Sequence, residues 1–214
     1  MNYSIKNPEG KEILIKNIYC VGRNYADHAR ELKNSVPDKP FFFQKSLPSF
    51  TESKNLTLPR GRNIHYELEI VALIGRSGFG LGVKNAWDYV SGLGLGLDLT
   101  DRELQSSYKQ KRLPWLLSKS FSGSAVVTGL FKPDLEKWSQ EFWLKINDHE
   151  VQRSSLSNML FSIPELISNL SGAIPLLAGD LLFTGTPKGV GVLKAGDKCL
   201  LGLGESIIAE YDVS

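Results

Sequence analysis

Cysteine is scarce in this sequence, since the 214 residues contain only Cys20 and Cys199. A secreted domain that depends on disulfide bonds carries several cysteines, and a structural zinc site usually needs closely spaced ones. Neither pattern is present, and both cysteines lie in apolar, strand-like surroundings. We therefore expect two buried free thiols in a reducing compartment.

An excess of charge of one sign is also nearly absent. Lysine and arginine total 25 residues, and aspartate and glutamate total 23, which gives a net charge of +2. The one basic cluster, formed by Lys109, Lys111 and Arg112, is short, and we interpret it as the solvated face of a helix. The sequence therefore predicts neither a nucleic-acid partner nor a membrane partner.

Long apolar runs are missing as well. No run approaches the length of a membrane span, and residues 1–16 carry scattered charges where a secretory signal would have a continuous apolar core. Hydrophobic residues make up 42% of the chain and charged residues 22%, which is ordinary for a soluble globular protein. We therefore expect one cytoplasmic domain that spans residues 1–214 and has a single sizeable core.

The segment from His65 to Gly75 predicts a strand, because aliphatic residues run unbroken from Ile70 to Ile74. Successive side chains of a strand point to opposite faces, so Glu67 and Glu69 share one face. Two neighbouring carboxylates repel each other and lose solvation when buried, unless a cation lies between them. The alternative is that both point into solvent at a strand end, and this segment alone leaves the two possibilities equally open.

A third acid lies on an unusual strand at residues 92–100, where glycine and leucine alternate. The glycines lie within the strand and not in the turn of a dinucleotide-binding motif, so they predict a face on which another backbone packs closely. Asp98 is on the glycine side, near the end of this strand, and could meet Glu67 and Glu69 on one side of a sheet. An all-oxygen ligand set suits a hard cation, with Mg²⁺ first and then Mn²⁺ or Ca²⁺.

Two predicted helices carry pairs of polar residues. Asn24 can cap a helix on which His28 and Glu31, three residues apart, are neighbours on one face. The alternative for this pair is an ordinary surface ion pair. Arg102 and Gln105 have the same spacing on a helix that follows the glycine–leucine strand.

Five stretches of the sequence resemble the fumarylacetoacetate hydrolase family, particularly its short acylpyruvase and oxaloacetate decarboxylase branch. In chain order they are Cys20–Glu31, His65–Glu69, Leu97–Gln105, Leu113–Phe121 and Thr184–Gly191. They are distributed in order along the chain, from residue 20 to residue 191. The resemblance implies an α+β, β-dominated fold, with a single-domain rolled mixed β-sheet and a few flanking helices, and it implies a homodimer.

The same resemblance implies roles for individual residues. Mg²⁺ is expected on Glu67, Glu69 and Asp98, and His28 and Glu31 are expected to form a catalytic dyad on a helix that closes over the substrate. The other residues that match the family are Lys119 as a further catalytic residue, Arg23, Arg102, Gln105 and Thr186 as substrate contacts, and Lys45 in a Phe-x-Lys element.

The implied reaction is Mg²⁺-dependent hydrolysis of the C–C bond of an acylpyruvate, which is a 2,4-dioxo acid, through a pyruvate enolate held by the metal. Glu31 orients His28, which deprotonates a water, while Lys119 and Arg102 stabilise oxyanions. An oxaloacetate decarboxylase, or a tautomerase of 2-oxo acids or 2-hydroxydienoates, would use the same site because its reaction passes through the same enolate.

Two further alternatives come from other classes of protein. Glu67 and Glu69 could be the acid/base pair of a glycosidase, but the sequence lacks the expected aromatic platform. A divalent-metal-binding protein without turnover is the other alternative. It would have no need of His28, Glu31 and Lys119.

Overall fold

Short strands separated by glycine and proline dominate the structure. The computed structural model describes residues 2–32 and 34–214. The strands are β1 (Ser4–Lys6), β2 (Glu12–Leu14), β3 (Ile18–Gly22), β4 (Phe41–Lys45), β5 (Phe50–Thr51), β6 (Asn55–Leu56), β7 (Ile64–Tyr66), β8 (Leu68–Ile74), β9 (Val90–Asp98), β10 (Thr100–Asp101), β11 (Ala125–Val127), β12 (Phe142–Ile146), β13 (His149–Ser154), β14 (Leu181–Phe183), β15 (Gly191–Val192), β16 (Lys198–Leu203) and β17 (Ser206–Val213). The α-helices are α1 (Ala26–Glu31), α2 (Val83–Ala86), α3 (Arg102–Lys111), α4 (Leu116–Lys119), α5 (Leu135–Trp138) and α6 (Ile163–Ala173).

The largest sheet has the strand order β4-β3-β14-β8-β9-β11-β5. β3 pairs in parallel with β14, and β11 pairs in parallel with β5, whereas the other neighbours are antiparallel. A second sheet has the order β13-β12-β16-β17-β6, and two small sheets have the orders β10-β7-β15 and β1-β2. The mixed sheet curls into a half-barrel with few helices around it. The predicted β-dominated, rolled mixed sheet is therefore confirmed.

β8 and β9 lie inside the large sheet and bring the three acids together. Every residue of β8 is buried, and Glu69 on this strand pairs with Gly96 on β9. Glu67 lies between β7 and β8, where its carbonyl oxygen accepts the backbone N–H of Asp98 at 2.9 Å. This antiparallel register places all three acids at one end of the two strands.

The glycines of β9 allow close packing, as the alternating pattern predicts. A Cβ built on Gly96 would lie 2.6 Å from the carbonyl oxygen of Val126 on β11 and 2.7 Å from Cγ2 of Val71 on β8. At Gly94 the nearest atom to such a Cβ is Cδ2 of Leu130, at 2.9 Å. Side chains as well as backbone therefore fill the bare face of the strand.

Asn24 does not cap α1, so that prediction is wrong. Tyr25 occupies the N-cap position, and no side chain caps the helix there. The Asn24 amide is buried, donates to the carbonyl oxygens of Phe161 and Thr184, and accepts the N–H of Phe161. Buried backbone groups need such partners. Asn24 therefore ties the start of α1 to the loop 184–191, which follows β14.

Two smaller expectations concern the thiols and the membrane. Cys20 and Cys199 are buried free thiols, as predicted. Within the described ranges, no helix combines the length and the apolar character that crossing a bilayer requires.

Candidate metal centre and active site

Three carboxylates meet at the end of β8 and β9. Glu67, Glu69 and Asp98 each offer one oxygen, and these oxygens lie within 4.8 Å of one another. The three residues are 5%, 2% and 0% exposed, so the alternative in which Glu67 and Glu69 point into solvent is wrong. Burying several negative charges together is unfavourable unless positive charge lies close by.

Protein cations compensate two of the three acids. Lys119 Nζ lies 2.8 Å from Glu67 Oε2 and 2.6 Å from Asp98 Oδ2, and Lys45 Nζ lies 2.7 Å from Asp98 Oδ1. Arg102 forms an ion pair with Glu67 Oε1. Burial opposes ionisation of Glu67, but Lys119 and Arg102 outweigh this effect and hold its pKa well below the usual value.

Glu69 differs from these two acids, although the charge of Lys119 also favours its ionisation. In the parts of the chain that the structure describes, no lysine, arginine or histidine forms an ion pair with it, and its Oε2 accepts the Gly185 N–H at 2.7 Å. Burial, together with the charges of Asp98 and Glu67, raises the pKa of Glu69 well above its usual value. A divalent cation between the three acids would remove this repulsion. The buried all-oxygen set therefore fits a hard ion such as Mg²⁺, Mn²⁺ or Ca²⁺.

Two buried lysines hold the carboxylates in place. Lys119 Nζ also donates to Thr100 Oγ1 at 2.7 Å, so its three N–H bonds all have acceptors. Lys45 donates to carbonyl oxygens of residues 99, 119 and 124 beside its ion pair with Asp98. The family resemblance placed Lys45 in a Phe-x-Lys element but implied no role for it. The available signal was a lysine at the end of the strongly apolar strand β4.

His28 and Glu31 form the predicted pair on α1. His28 Nδ1 lies 3.3 Å from Glu31 Oε2, and Glu31 Oε1 also accepts the Gly189 N–H at 3.0 Å. The His28 side chain is 7% exposed, so an ordinary surface ion pair is wrong. Burial lowers the pKa of His28, although Glu67 and Glu31 act to raise it. The ring is therefore neutral near pH 7, and when Nδ1 donates to Glu31, Nε2 is the nitrogen that can accept a proton.

One pocket joins the acids to the histidine. Nine of the ten predicted site residues line it, namely Arg23, His28, Glu67, Glu69, Asp98, Arg102, Gln105, Lys119 and Thr186. Glu31 is the tenth. It does not line the pocket, but it contacts His28, which does. Arg102 also donates to Gln105 Oε1 at 2.8 Å, so these two predicted substrate contacts fix each other.

Lys109 lines the same pocket, which contradicts the interpretation of the basic cluster as a solvated helix face. Lys111 and Arg112 are exposed, but Lys109 is half-buried, with Nζ 4.9 Å from the ring centre of Trp115. The physical reason is helical spacing. Lys109 lies seven residues after Arg102, which is two turns of α3, so both residues share the face that is turned to the pocket.

Gln152 is a site residue that the sequence did not indicate. It lies on β13 in the second sheet and is buried, where its Oε1 accepts the Leu68 N–H and its Nε2 donates to Thr186 Oγ1, both at 2.9 Å. Thr186 Oγ1 is therefore the acceptor in this contact, and the hydroxyl hydrogen of Thr186 points away from Gln152. The two partners are 84 and 34 residues away along the chain, and no local pattern marks such a contact.

Comparison with known proteins identifies the family. A model of the fumarylacetoacetate (FAA) hydrolase C-terminal family matches residues 17–212. The chain belongs to the fumarylacetoacetate hydrolase family. The resemblance of the five stretches is therefore confirmed, and membership in this family of metal-dependent enzymes excludes the glycosidase alternative.

Members of the fumarylacetoacetate hydrolase family match along almost their full length. The mitochondrial oxaloacetate tautomerase FAHD1 of Rattus norvegicus is 40% identical over 202 residues, which cover 92% of this chain and 91% of that protein. The mitochondrial oxaloacetate decarboxylase of Dictyostelium discoideum is 38% identical over 193 residues, which cover 88% of each. The solved fumarylpyruvate hydrolase of Pseudomonas aeruginosa, in complex with Mn²⁺ and pyruvate, has a TM-score of 0.91 at 32% identity, covering 99% of this chain and 95% of that one.

The expectation of a cytoplasmic protein is wrong, because curated relatives of this chain, among them the two described above, are named as mitochondrial proteins. The free thiols on which the expectation partly rested argue only against an oxidising compartment. They do not separate the cytosol from another reducing compartment.

Proposed function

We propose that the protein is a divalent-metal-dependent enzyme that acts on 2-oxo acids through their enolates, with oxaloacetate as the first substrate to test. The observation that carries the proposal is that the three acids and His28 line one pocket. The oxaloacetate tautomerase and decarboxylase relatives support the choice of substrate. Mg²⁺ is the first ion proposed, and Mn²⁺ is the next because the fumarylpyruvate hydrolase neighbour holds it.

Glu67, Glu69 and Asp98 would hold the ion, whose Lewis acidity polarises the 2-oxo group when it is bound. Lys119 keeps two of these carboxylates in position and adds positive charge beside the developing enolate. Because its three N–H bonds already have protein acceptors, we propose that this lysine acts on the substrate through its charge. Its predicted catalytic role stays a prediction.

In tautomerisation, neutral His28 accepts the proton of the enol hydroxyl at Nε2. The electron pair of that O–H bond forms the carbonyl, and the electrons of the C2=C3 bond take up a proton at C3, which the His28 imidazolium supplies. Glu31 stabilises the imidazolium and fixes the plane of its ring. Arg102 and Gln105 bind and orient the acid, so that C3 faces the histidine.

Hydrolysis of acylpyruvates is the second candidate, and the fumarylpyruvate hydrolase neighbour favours it. Here His28 takes a proton from water, and the resulting hydroxide adds to the distal carbonyl carbon. The bond between that carbon and C3 breaks, its electron pair stays on C3 as the enolate, and His28 returns the proton to C3. This reaction, which was the first expectation from the sequence, stays a prediction.

A substrate panel tests the proposal. The purified protein is assayed with oxaloacetate, acetylpyruvate, fumarylpyruvate and fumarylacetoacetate in the presence of Mg²⁺, Mn²⁺, Ca²⁺ or EDTA. Loss of the enol absorbance reports tautomerisation. Pyruvate release reports decarboxylation of oxaloacetate or cleavage of the two acylpyruvates, and acetoacetate release reports cleavage of fumarylacetoacetate. The proposal predicts turnover of oxaloacetate with Mg²⁺ and none with EDTA. Full turnover in EDTA would contradict the role of the metal, and no turnover under any condition would favour the metal-binding alternative.

We also propose a homodimer that has neither a nucleic-acid nor a membrane partner. The family resemblance supports the dimer, and the net charge of +2 supports the lack of a polyanionic partner. Light scattering after size-exclusion chromatography should give twice the mass of the chain. A mass of one chain across the accessible concentrations would refute the dimer.

A further inference from the structure

Two cations at the pocket have no acidic partner. Arg23 directly follows β3 and Lys109 lies on α3, and both are half-buried residues that line the pocket. Within residues 2–32 and 34–214, neither side chain forms an ion pair or a hydrogen bond with another residue. Lys45, Lys119 and Arg102 differ, because each of them is paired with an acid of the metal centre.

Aromatic rings hold these two cations in place. Arg23 Cζ lies 5.5 Å from the ring centre of Phe41, and Lys109 Nζ lies 4.9 Å from that of Trp115. The two rings contact each other edge to face, with 5.9 Å between their centres. Attraction to a ring face stabilises a partly desolvated cation and leaves its N–H donors unused. Arg23 and Lys109 therefore present free donors on one aromatic wall of the pocket.

The electrostatics of this wall favour an anion. Burial, followed by repulsion from Arg102 and Arg23, lowers the pKa of Lys109 to about 8, and burial also lowers the pKa of Arg23. A negative group between the cations would relieve their repulsion and use their donors. The backbone of Arg23 is left-handed, with φ at 57°, a conformation that is unfavourable for a residue with a side chain and that often accompanies a functional position.

We propose that Arg23 and Lys109 form a second anion site, which binds the distal carboxylate of a 2-oxo dicarboxylic acid. The inference rests on the proposed function, in which the 2-oxo group and the first carboxylate occupy the end of the pocket at the metal centre. A monocarboxylic substrate such as acetylpyruvate leaves both cations without a partner. The pair therefore makes the protein selective for dicarboxylic 2-oxo acids.

Substitution of Lys109 tests this selectivity. Lys109→Met removes the charge and keeps much of the side-chain length, and Lys111→Met is the matched control because Lys111 is exposed on the same helix. Loss of one charge-assisted hydrogen bond predicts a KM for oxaloacetate that is about tenfold higher in Lys109→Met, with a smaller change in kcat. The kcat/KM for acetylpyruvate should change less than about twofold. Lys109→Arg should restore much of the KM, whereas Lys111→Met should change neither substrate.

A second measurement does not depend on the metal or on turnover. Succinate has two carboxylates and no 2-oxo group, so its binding in EDTA needs neither the metal nor turnover, and the difference between Lys109→Met and Lys111→Met isolates the contribution of the cationic wall. A ligand that binds only the folded state raises the melting temperature. Succinate should therefore stabilise the wild-type protein and Lys111→Met, and it should stabilise Lys109→Met much less.

These two measurements separate the anion site from the proposed function. If the wild type turns over no substrate and succinate still distinguishes Lys109→Met from Lys111→Met, the proposed function fails and the anion site stands. Equal losses for oxaloacetate and acetylpyruvate in Lys109→Met overturn the anion site. So does a Lys109→Met variant that matches Lys111→Met both in KM for oxaloacetate and in its response to succinate.

Discussion

At the scale of single residues, the site depends on how buried charges are balanced. Glu67 and Asp98 have protein cations beside them, whereas Glu69 has the Gly185 N–H. The alternation of a strand was enough to predict that Glu67 and Glu69 share a face. It was not enough to predict that Lys45 reaches Asp98, because that contact joins residues 53 positions apart on two strands that are not neighbours in the sheet.

Replacing Glu69 tests its role as a metal ligand. Glu69→Gln keeps the size of the side chain and removes the charge that the protein itself leaves unbalanced. Loss of a residue that only orients a ligand costs about 10- to 100-fold in metal affinity, so loss of the ligand should cost at least about 100-fold. Titration calorimetry with Mg²⁺ measures this, and the exposed Glu205→Gln is the control. Equal affinities of the two variants would contradict the assignment.

The pH dependence of activity tests the dyad. Neutral His28 is the required base, so kcat/KM should fall as the pH decreases through its pKa, and burial places that midpoint below 6.5. Glu31 raises the pKa of His28, so Glu31→Gln should move the acidic limb of the pH profile to still lower pH. An unchanged limb, or a move to higher pH, would show that Glu31 does not act through His28.

At the scale of elements, two features bring the acids and the substrate contacts together. The glycines of β9 let this strand pack tightly between β8 and β11, and Gln152 joins the second sheet to the start of β8 and to the loop 184–191. The alternation of glycine and leucine predicted the first feature. The second depends on how two sheets meet, and a single glutamine in a strand does not reveal that.

Gly96→Ala tests the packing of β9. The added Cβ would lie 2.6 Å from a backbone oxygen of β11, so we expect a loss of about 1 to 3 kcal/mol in the free energy of unfolding. Gly129→Ala is the control, because a Cβ there meets nothing within 4 Å. Urea denaturation measures both variants. Equal stability of Gly96→Ala and Gly129→Ala would show that β9 can shift to accept a side chain.

Gln152→Ala tests the link between the sheets. It leaves the buried Leu68 N–H without an acceptor, which costs about 1 to 3 kcal/mol, and it frees Thr186 from its donor. We expect lower stability in urea and a higher KM, while the exposed Gln140→Ala should change neither. A Gln152→Ala variant with reduced stability and an unchanged KM would limit Gln152 to a structural role.

At the scale of the whole molecule, the fold class followed from local patterns and from the family resemblance, and the details that depend on distant contacts did not. Asn24 contacts residues 137 and 160 positions away in place of capping its own helix. Lys109 faces the pocket because it shares a face of α3 with Arg102, and the basic composition of its cluster did not show this. The expectation of a cytoplasmic protein was wrong because free thiols are compatible with more than one reducing compartment.

The proposed chemistry depends on one divalent ion among Glu67, Glu69 and Asp98. The most direct test is the anomalous diffraction from a crystal of this protein soaked in Mn²⁺. We expect a strong peak at about 2 to 2.6 Å from an oxygen of each of the three acids. A peak elsewhere, or no peak with Lys119 still bridging Glu67 and Asp98, would contradict it.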